Sequence, residues 1–384
     1  MPGFPSRHGG GSPRLVLVTG SLLGGGAERQ LSEMANHWSE QGALVTLATW
    51  SGPATGDFYP LDARIERRWL DVSAARRGPL AALAASRRRI RRLRSLLEES
   101  APDAVLSFID VSNIHTVLAA RGLAVRVVIA ERTHPAVNRT VSRPWRALRR
   151  ILYRRANVVV AQTRDAAEWL ERACGTPVQV IPNFLRDLPP AQGPREPLIL
   201  AVGRLSAEKG FDLLLKGFAA LAARFPGWRV CIIGEGVERG ALHRLARALG
   251  IEERVEFTGE VRGTENWMAR ASLLVHPSRR EGFPNVVLEA MGMGLPVLCT
   301  NCRAGPSDLI QDGINGRLVP VDDLDALTRA MRELMEHPEL REQLGLAATS
   351  VRGTYGRERI MRRWEGCLLG EAEAAPRSRR AGPA

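Results

Sequence analysis

A chain of 384 residues carrying a net charge of +13 is too long for a single core and suits two domains of roughly 150 to 180 residues. No stretch reaches the ~18 uninterrupted apolar residues of a membrane span, and the opening MPGFPSRHGGGSPR lacks the apolar centre of a secretory signal. Five scattered cysteines exclude a disulfide scaffold and fit a reducing compartment, so a cytoplasmic protein is expected.

From the N-terminus, short apolar runs alternate with helical text, which implies parallel sheets. Residues 14–19 form the first predicted strand, 20–26 a glycine-rich turn, 27–40 a helix and 44–49 a second strand. Residues 104–108, 125–130, 158–161 and 179–181 continue that sheet. The segment 182–197 holds five prolines and a glycine and reads as the interdomain connection. A new unit opens with a strand at 198–202, followed by strands at 229–233, 255–257, 273–276 and 297–300. Helical text at 323–346 and 357–369 ends the fold, and no internal repeat is present. The expected divisions are a disordered start (1–12), an N-terminal Rossmann-like domain (13–185), a linker (186–197), a C-terminal Rossmann-like domain (198–355), a closing helix (356–370) and a disordered tail (371–384).

The most informative stretch is EGFPNVVLEAMGMGLPV, in which Glu281 and Glu289 stand eight positions apart. It reads as a loop turning into a helix. Gly282 allows a tight turn, Pro284 suits the first helical position, and Gly294 and Pro296 stop the helix. Free N–H groups from Phe283 to Val287, including Asn285 and Val286, would face a ligand over that helix start and favour anions and hydroxyl oxygens. A carboxylate beside an anion site repels a bare phosphate, so a ligand offering hydroxyls as well is implied. A sugar joined to a diphosphate has both. The competing reading of the glutamates is a capped surface helix.

A second anion-binding segment favours the ligand. VGRLSAEKGFDLLLKGF follows the strand at 198–202 and places Gly203, Arg204 and Lys209 on a strand-to-helix loop, where a pyrophosphate would rest. Of 54 Lys plus Arg residues only Lys209 and Lys216 are lysines, so a lysine kept on this loop suggests that a compact ammonium is wanted. Turns at Gly234, Glu235 and Gly236 and at 258–261, ending in Val261, follow predicted strands and would line a ligand crevice. By contrast TGSLLGGGAER does not match G-x-G-x-x-G and no acidic residue ends the second strand, which disfavours a nicotinamide enzyme. Cys299 and Cys302 form a lone C-x2-C without a second pair or a nearby histidine, so buried thiols are expected rather than zinc. Asp323 and Asp325 stand at a predicted helix start, where aspartates cap. No metal and no other cofactor is expected.

The segments GGGAER, RLSAEKGFDLLLKGF and EGFPNVVLEAMGMGLPV together resemble the retaining, GT-B-fold glycosyltransferases of family 4. More narrowly, GGGAER, AERTHP and GPSDLIQDGINGRLVPVDD resemble the branch that builds bacterial surface polysaccharides and lipid-linked oligosaccharides. The likeness runs from about Arg14 to Trp364. It implies an α/β fold of two Rossmann-like domains whose parallel sheets face across a cleft, with a C-terminal helix returning to the N-terminal domain and closure around the donor. It further implies that Glu281, with the backbone from Gly282 to Asn285, touches the transferred sugar, that Glu289 takes the ribose hydroxyls, and that Gly234, Gly236 and Val261 surround the nucleotide. Arg204 and Lys209 would neutralise charge on the leaving diphosphate in place of a metal. Gly25 and Gly26 would let the backbone approach donor and acceptor. Many members carry a histidine at the end of the strand that here reads VVIAERTHP. This chain offers Arg132 there, with Glu131 before it and His134 after it, and which of the three reaches the sugar stays open. His134 also reads as a solvated loop residue, and His276 as a packing residue.

Positive charge is concentrated in the first half, notably in SRRRIRRLRSLLEES and RPWRALRRILYRR. Both read as basic amphipathic helices, which suit an anionic membrane surface. Few aromatics interleave the arginines, which disfavours nucleic acid; a solvated face is the plainer alternative. The function that the resemblance implies is metal-independent, retaining transfer of an N-acetylhexosamine or hexose from a nucleotide sugar, expected to be a UDP-sugar. The acceptor would be a saccharide or lipid-linked saccharide, and the location the inner face of the cell membrane. A nucleotide-sugar epimerase of the same fold and a non-catalytic partner subunit are the alternatives.

Overall fold

The computed structural model describes residues 11–72, 78–136, 141–189, 193–261 and 263–370. The chain divides into two compact units. One runs to Pro182 and is taken up again from Ile360, and the other spans Asn183–Arg359.

The first unit is built on seven strands: β1 (Arg14–Thr19), β2 (Leu44–Thr49), β3 (Glu66–Trp69), β4 (Ala104–Phe108), β5 (Arg126–Glu131), β6 (Val158–Ala161) and β7 (Val178–Val180). They pair in parallel in the order β3-β2-β1-β4-β5-β6-β7. Strands β4 and β6 are apolar or small throughout and wholly buried, as central strands covered on both faces must be. From Ile360 onward the last helix (Arg357–Leu369) belongs to this unit, burying Met361, Trp364 and Leu368. Trp38 donates its indole N–H to Glu365 across 3.2 Å, and the Phe108 and Trp364 rings lie 5.9 Å apart.

The second unit has six strands: β8 (Glu196–Val202), β9 (Arg229–Ile233), β10 (Val255–Gly259), β11 (Ala271–His276), β12 (Val297–Thr300) and β13 (Arg317–Val319), in parallel order β10-β9-β8-β11-β12-β13. Successive residues of β8 feed opposite cores. Ile199 packs with Leu214, Phe218 and Val275, while Leu200 packs with Leu274, Val287 and Met291. The strand order reverses between β8 and β11, and in open sheets of this kind ligands lie outside the carboxyl ends at such a point. The loops that leave β8 and β11 carry Arg204, Lys209 and Glu281.

Two strands escaped the sequence pattern. β3 reads ERRW and is mostly exposed, and β13 is a three-residue edge, so neither offers the apolar run of a covered strand. The boundary between units also differs from expectation: it falls at Pro182 and not in 186–197. The residues after Pro182 are fastened to the second unit, Asn183 to Asn285 (2.6 Å), Leu185 to the Tyr355 carbonyl (2.7 Å) and Arg186 to Glu265 (2.8 Å). The ends expected to be disordered lie outside the described residues, apart from residues 11 and 12.

Candidate active site

The chain leaves β8 through Gly203 and makes a short 3-10 turn, Ala207–Lys209, before the helix Phe211–Ala222. Gly210 takes φ +68°, and a Cβ there would lie 2.1 Å from the Pro277 carbonyl oxygen. Only glycine lets the loop come so close to the one that follows β11. Arg279 fastens the two loops together. Its backbone N–H donates to the Glu208 carbonyl (2.7 Å) and its guanidinium to the Ala207 carbonyl (2.6 Å), to both Asp212 oxygens (2.8 and 2.9 Å) and to Asp322 (2.6 Å). Ser278 adds a hydroxyl bond to the Glu208 carbonyl at 3.2 Å.

This docking brings Lys209 to Glu281. Lys209 Nζ lies 2.6 Å from Glu281 Oε1, and His276 Nε2 lies 2.6 Å from the same oxygen. Glu281 is only 9% exposed. Burial by itself would raise its pKa, but His276 and then Lys209 outweigh it and hold the carboxyl down at about 2. Arg204 is exposed, and its side chain has no partner among the described residues. The turn at Gly234 and Gly236 closes against the same loop: Gly203 donates to the Ile233 carbonyl at 2.9 Å and Leu205 to that of Glu235 at 2.8 Å. A Cβ on Gly234 would stand 2.1 Å from the Gly203 carbonyl oxygen, which forbids any larger residue there.

The helix after Glu281 is Asn285–Gly292, with Pro284 as its cap rather than its first residue. The expected run of open N–H groups is shorter than the sequence indicated. Asn285 donates to the Phe283 carbonyl and Val287 to that of Pro284, both at 3.0 Å, because the chain tightens as it enters the helix. Gly282, Phe283 and Val286 remain without a backbone acceptor among the described residues. Glu289 is buried, and Arg186 bridges it (3.4 Å) to Glu265 (2.8 Å). Val261 is half-buried against the apolar core of this unit.

Gly25, Gly26 and Arg132 belong to the first unit. Gly25 is not an open donor, since its N–H goes to Glu28 Oε2 at 2.6 Å and caps the helix Gly26–Glu40. Arg132 is buried with its guanidinium 4.3 Å above the Phe108 ring, and burial lowers its pKa to about 9. Glu131 accepts from the Tyr153 hydroxyl at 2.5 Å and lies 3.4 Å from Arg149. Burial and then the Asp110 carboxylate push it up to about 7 against the pull of Arg149 and Tyr153. His134 is no solvated loop residue. It is 1% exposed, with Nε2 3.0 Å from Asp165 and Nδ1 accepting the Ala136 N–H at 3.1 Å. His276 is likewise more than packing, since it is bonded to Glu281; its place at the end of β11, beside the glutamate loop, was the signal for it.

Asp323 caps the helix Leu324–Glu336 by accepting from the Ala326 N–H at 2.8 Å. Cys299 and Cys302 are buried free thiols, and burial pushes Cys302 up to about 12. Among the described residues, the loops at the switch point of this sheet thus carry the unpartnered guanidinium of Arg204, the Lys209 ammonium and the ionised Glu281 carboxylate. That set can hold a polyanion beside a hydroxyl group.

Comparison with known proteins bears on the family and the fold. Residues 24–186 match the family model described as Glycosyltransferase Family 4, and residues 189–351 the one described as Glycosyl transferases group 1. An uncharacterized glycosyltransferase of Haemophilus influenzae is 29% identical over 90% of this chain and 96% of its own length. A Campylobacter jejuni alpha-1,4-N-acetyl-D-galactosaminyltransferase, named for a saccharide linked through PP to undecaprenol, is 27% identical over 86% of this chain and 91% of its own. Among solved structures, Anabaena HepE in complex with UDP superposes with a TM-score of 0.77 at 19% identity, covering 93% of this chain and all of that one, and shares the GT-B fold. With its two halves matched in order by the two domain models, the chain belongs to the family 4 glycosyltransferases.

Proposed function

We propose that this transferase moves a hexose or N-acetylhexosamine from a UDP-sugar to a saccharide or lipid-linked saccharide, with retention of anomeric configuration and without a metal ion, in surface polysaccharide synthesis. The observation that carries the reading is the Lys209–Glu281–His276 cluster with Arg204 free beside it on the β8 loop. Glu281 Oε1 has two donors, whereas Oε2 has no partner among the described residues and is not sealed from solvent. Oε2 is the atom to accept a hydroxyl of the transferred sugar. Arg204 and Lys209 stabilise the diphosphate as the bond from its oxygen to the anomeric carbon breaks, the kind of charge stabilisation that usually dominates catalysis. The acceptor oxygen bonds to that carbon on the same face and its proton passes to the departing phosphate oxygen. Glu289, held by Arg186, takes the ribose hydroxyls. The relative that acts on an undecaprenol-linked saccharide and the UDP complex of HepE support the acceptor and donor classes.

Membrane contact fits the same role. The helix Arg143–Leu152 exposes Leu148 (39%) and Ile151 (60%) among Arg146 and Arg150. Such a face suits an anionic bilayer surface. The test of the donor reading is thermal unfolding of the purified chain with UDP, GDP, ADP and their common sugars, EDTA present. Binding at a hundred times Kd adds about 2.7 kcal/mol of stability. Selective stabilisation by UDP or a UDP-sugar is expected; no response to any nucleotide overturns the reading and favours a non-catalytic subunit.

A further inference from the structure

Lys209 has two claimants. The Lys209 ammonium sits 2.6 Å from Glu281 Oε1, yet the proposed reaction needs the same ammonium on the diphosphate. Removing one member of a buried ion pair is strongly unfavourable, because it leaves the other charge buried and unpaired. Glu281, deeply buried, would therefore hold Lys209 back unless another donor were at hand. His276 is that donor: a carboxylate only accepts, so the proton of the 2.6 Å contact sits on Nε2. The imidazole is 2% exposed, so it reaches no ligand itself, and Nδ1 is buried without a partner among the described residues. Nε2 towards Glu281 is thus its one polar engagement. Its backbone is fixed as the last residue of β11, between β8 and β12, and its carbonyl accepts from the Thr300 hydroxyl at 3.4 Å.

We propose that His276 is a positioning residue that keeps Glu281 hydrogen-bonded and aimed when Lys209 turns from the carboxylate to the donor diphosphate. The proposal rests on the transferase reading above. Without His276 the carboxylate retains Lys209 and competes with the nucleotide. With it the ammonium is released and Oε1 keeps one donor, so Oε2 stays directed outward.

UDP affinity, measured by calorimetry on the full chain with EDTA, tests this directly. His276→Leu removes the donor and is expected to weaken UDP binding about tenfold, the scale of one charge-assisted hydrogen bond. His276→Gln keeps an N–H at similar reach and is expected to recover most of the affinity. In a Glu281→Gln background, where no charge competes for Lys209, adding His276→Leu is expected to change nothing. A merely structural histidine would weaken UDP in both backgrounds and would not be rescued by glutamine, and that pattern overturns the proposal. Should His276→Leu lack a cooperative unfolding transition, His276→Asn, whose shorter amide does not reach Glu281, takes its place with the same expectation. Wild-type affinity in a folded leucine or asparagine variant overturns the inference alone. Absence of UDP binding by the unaltered chain overturns the donor reading and this inference with it.

Discussion

Glu281 stays ionised although burial alone would raise its pKa, because His276 and Lys209 give one of its oxygens two donors. Its charge serves the ligand more than the fold, since Lys209 reaches solvent and can rehydrate if the carboxylate goes. Glu281→Ala should therefore lower transfer from a UDP-sugar by at least about a hundredfold while keeping a cooperative unfolding transition; near wild-type turnover with a verified acceptor would refute the assignment. His115 makes the opposite case, a buried titratable group whose charge serves neither. It is fully buried between Trp50 (5.6 Å) and Trp145 (5.1 Å), with both ring nitrogens unpartnered among the described residues. Burial, followed by the Arg89 charge, pulls its pKa from 6.5 down to about 4. Because the folded value lies below the unfolded one, the unfolded chain binds the proton first. The contribution is complete above pH 6.5 and is lost as pH falls towards 4, about 3 kcal/mol in all. His115→Phe should flatten that part of the stability curve relative to wild type, as read from urea unfolding between the two pH limits. An unchanged slope would show that His115 is not held neutral by the fold.

The loop that carries Lys209 is positioned by its neighbours more than by its own sequence. Its 3-10 turn is three residues long, and the bonds from Ser278 and Arg279 to the Ala207 and Glu208 carbonyls, with the close pass at Gly210, hold it against the β11 loop. Gly210→Ala should force these loops apart, lowering both Tm and UDP affinity. Gly42→Ala is the control, since φ is +91° there but a Cβ meets nothing within 4 Å. It should show only the strain of a left-handed residue, about 1 kcal/mol, with UDP binding unchanged. If both variants lost equal stability and Gly210→Ala bound UDP normally, the docking would not position Lys209. The same elements show what a single sequence reveals. Glu281, Glu289, Arg204 and Lys209 were legible as candidates because their spacing on a strand-loop-helix text carries chemistry. β3 and β13 were not, because exposed edges lack an apolar signature. Asn183 to Arg186 read as free linker because side-chain bonds to Asn285 and Glu265, about a hundred residues away or less, leave no local trace. Arg279 is of the same kind, an ordinary letter in the text whose role exists only through partners brought in by the fold.

Over the whole chain the net charge of +13 is concentrated in the first half, away from the two glutamates and two basic residues of the candidate active site. Among the described residues no helix is long and apolar enough to cross a membrane, and the bilayer contact proposed above is one of surface faces. The helix Arg143–Leu152 is the best placed, because Arg149, Leu152 and the following Tyr153 anchor it inward while Leu148 and Ile151 remain outward. Each arginine near an anionic surface contributes about 1 kcal/mol, and the term is screened by salt. Replacing Arg146 and Arg150 by Ser should thus lower partitioning to phosphatidylglycerol vesicles by roughly tenfold or more, with little change on phosphatidylcholine. Replacing Leu148 and Ile151 by Ser should lower what binding persists at high salt, since apolar insertion is not screened. Both pairs belong to the first unit and the β8 and β11 loops to the second, so UDP affinity is expected to stay at the wild-type value in both variants. Vesicle co-sedimentation at two salt concentrations distinguishes the outcomes. Unchanged partitioning of both variants would move the contact to another basic face, of which the helix Pro79–Ser100, with Leu80 and Leu83 exposed, is the next to test.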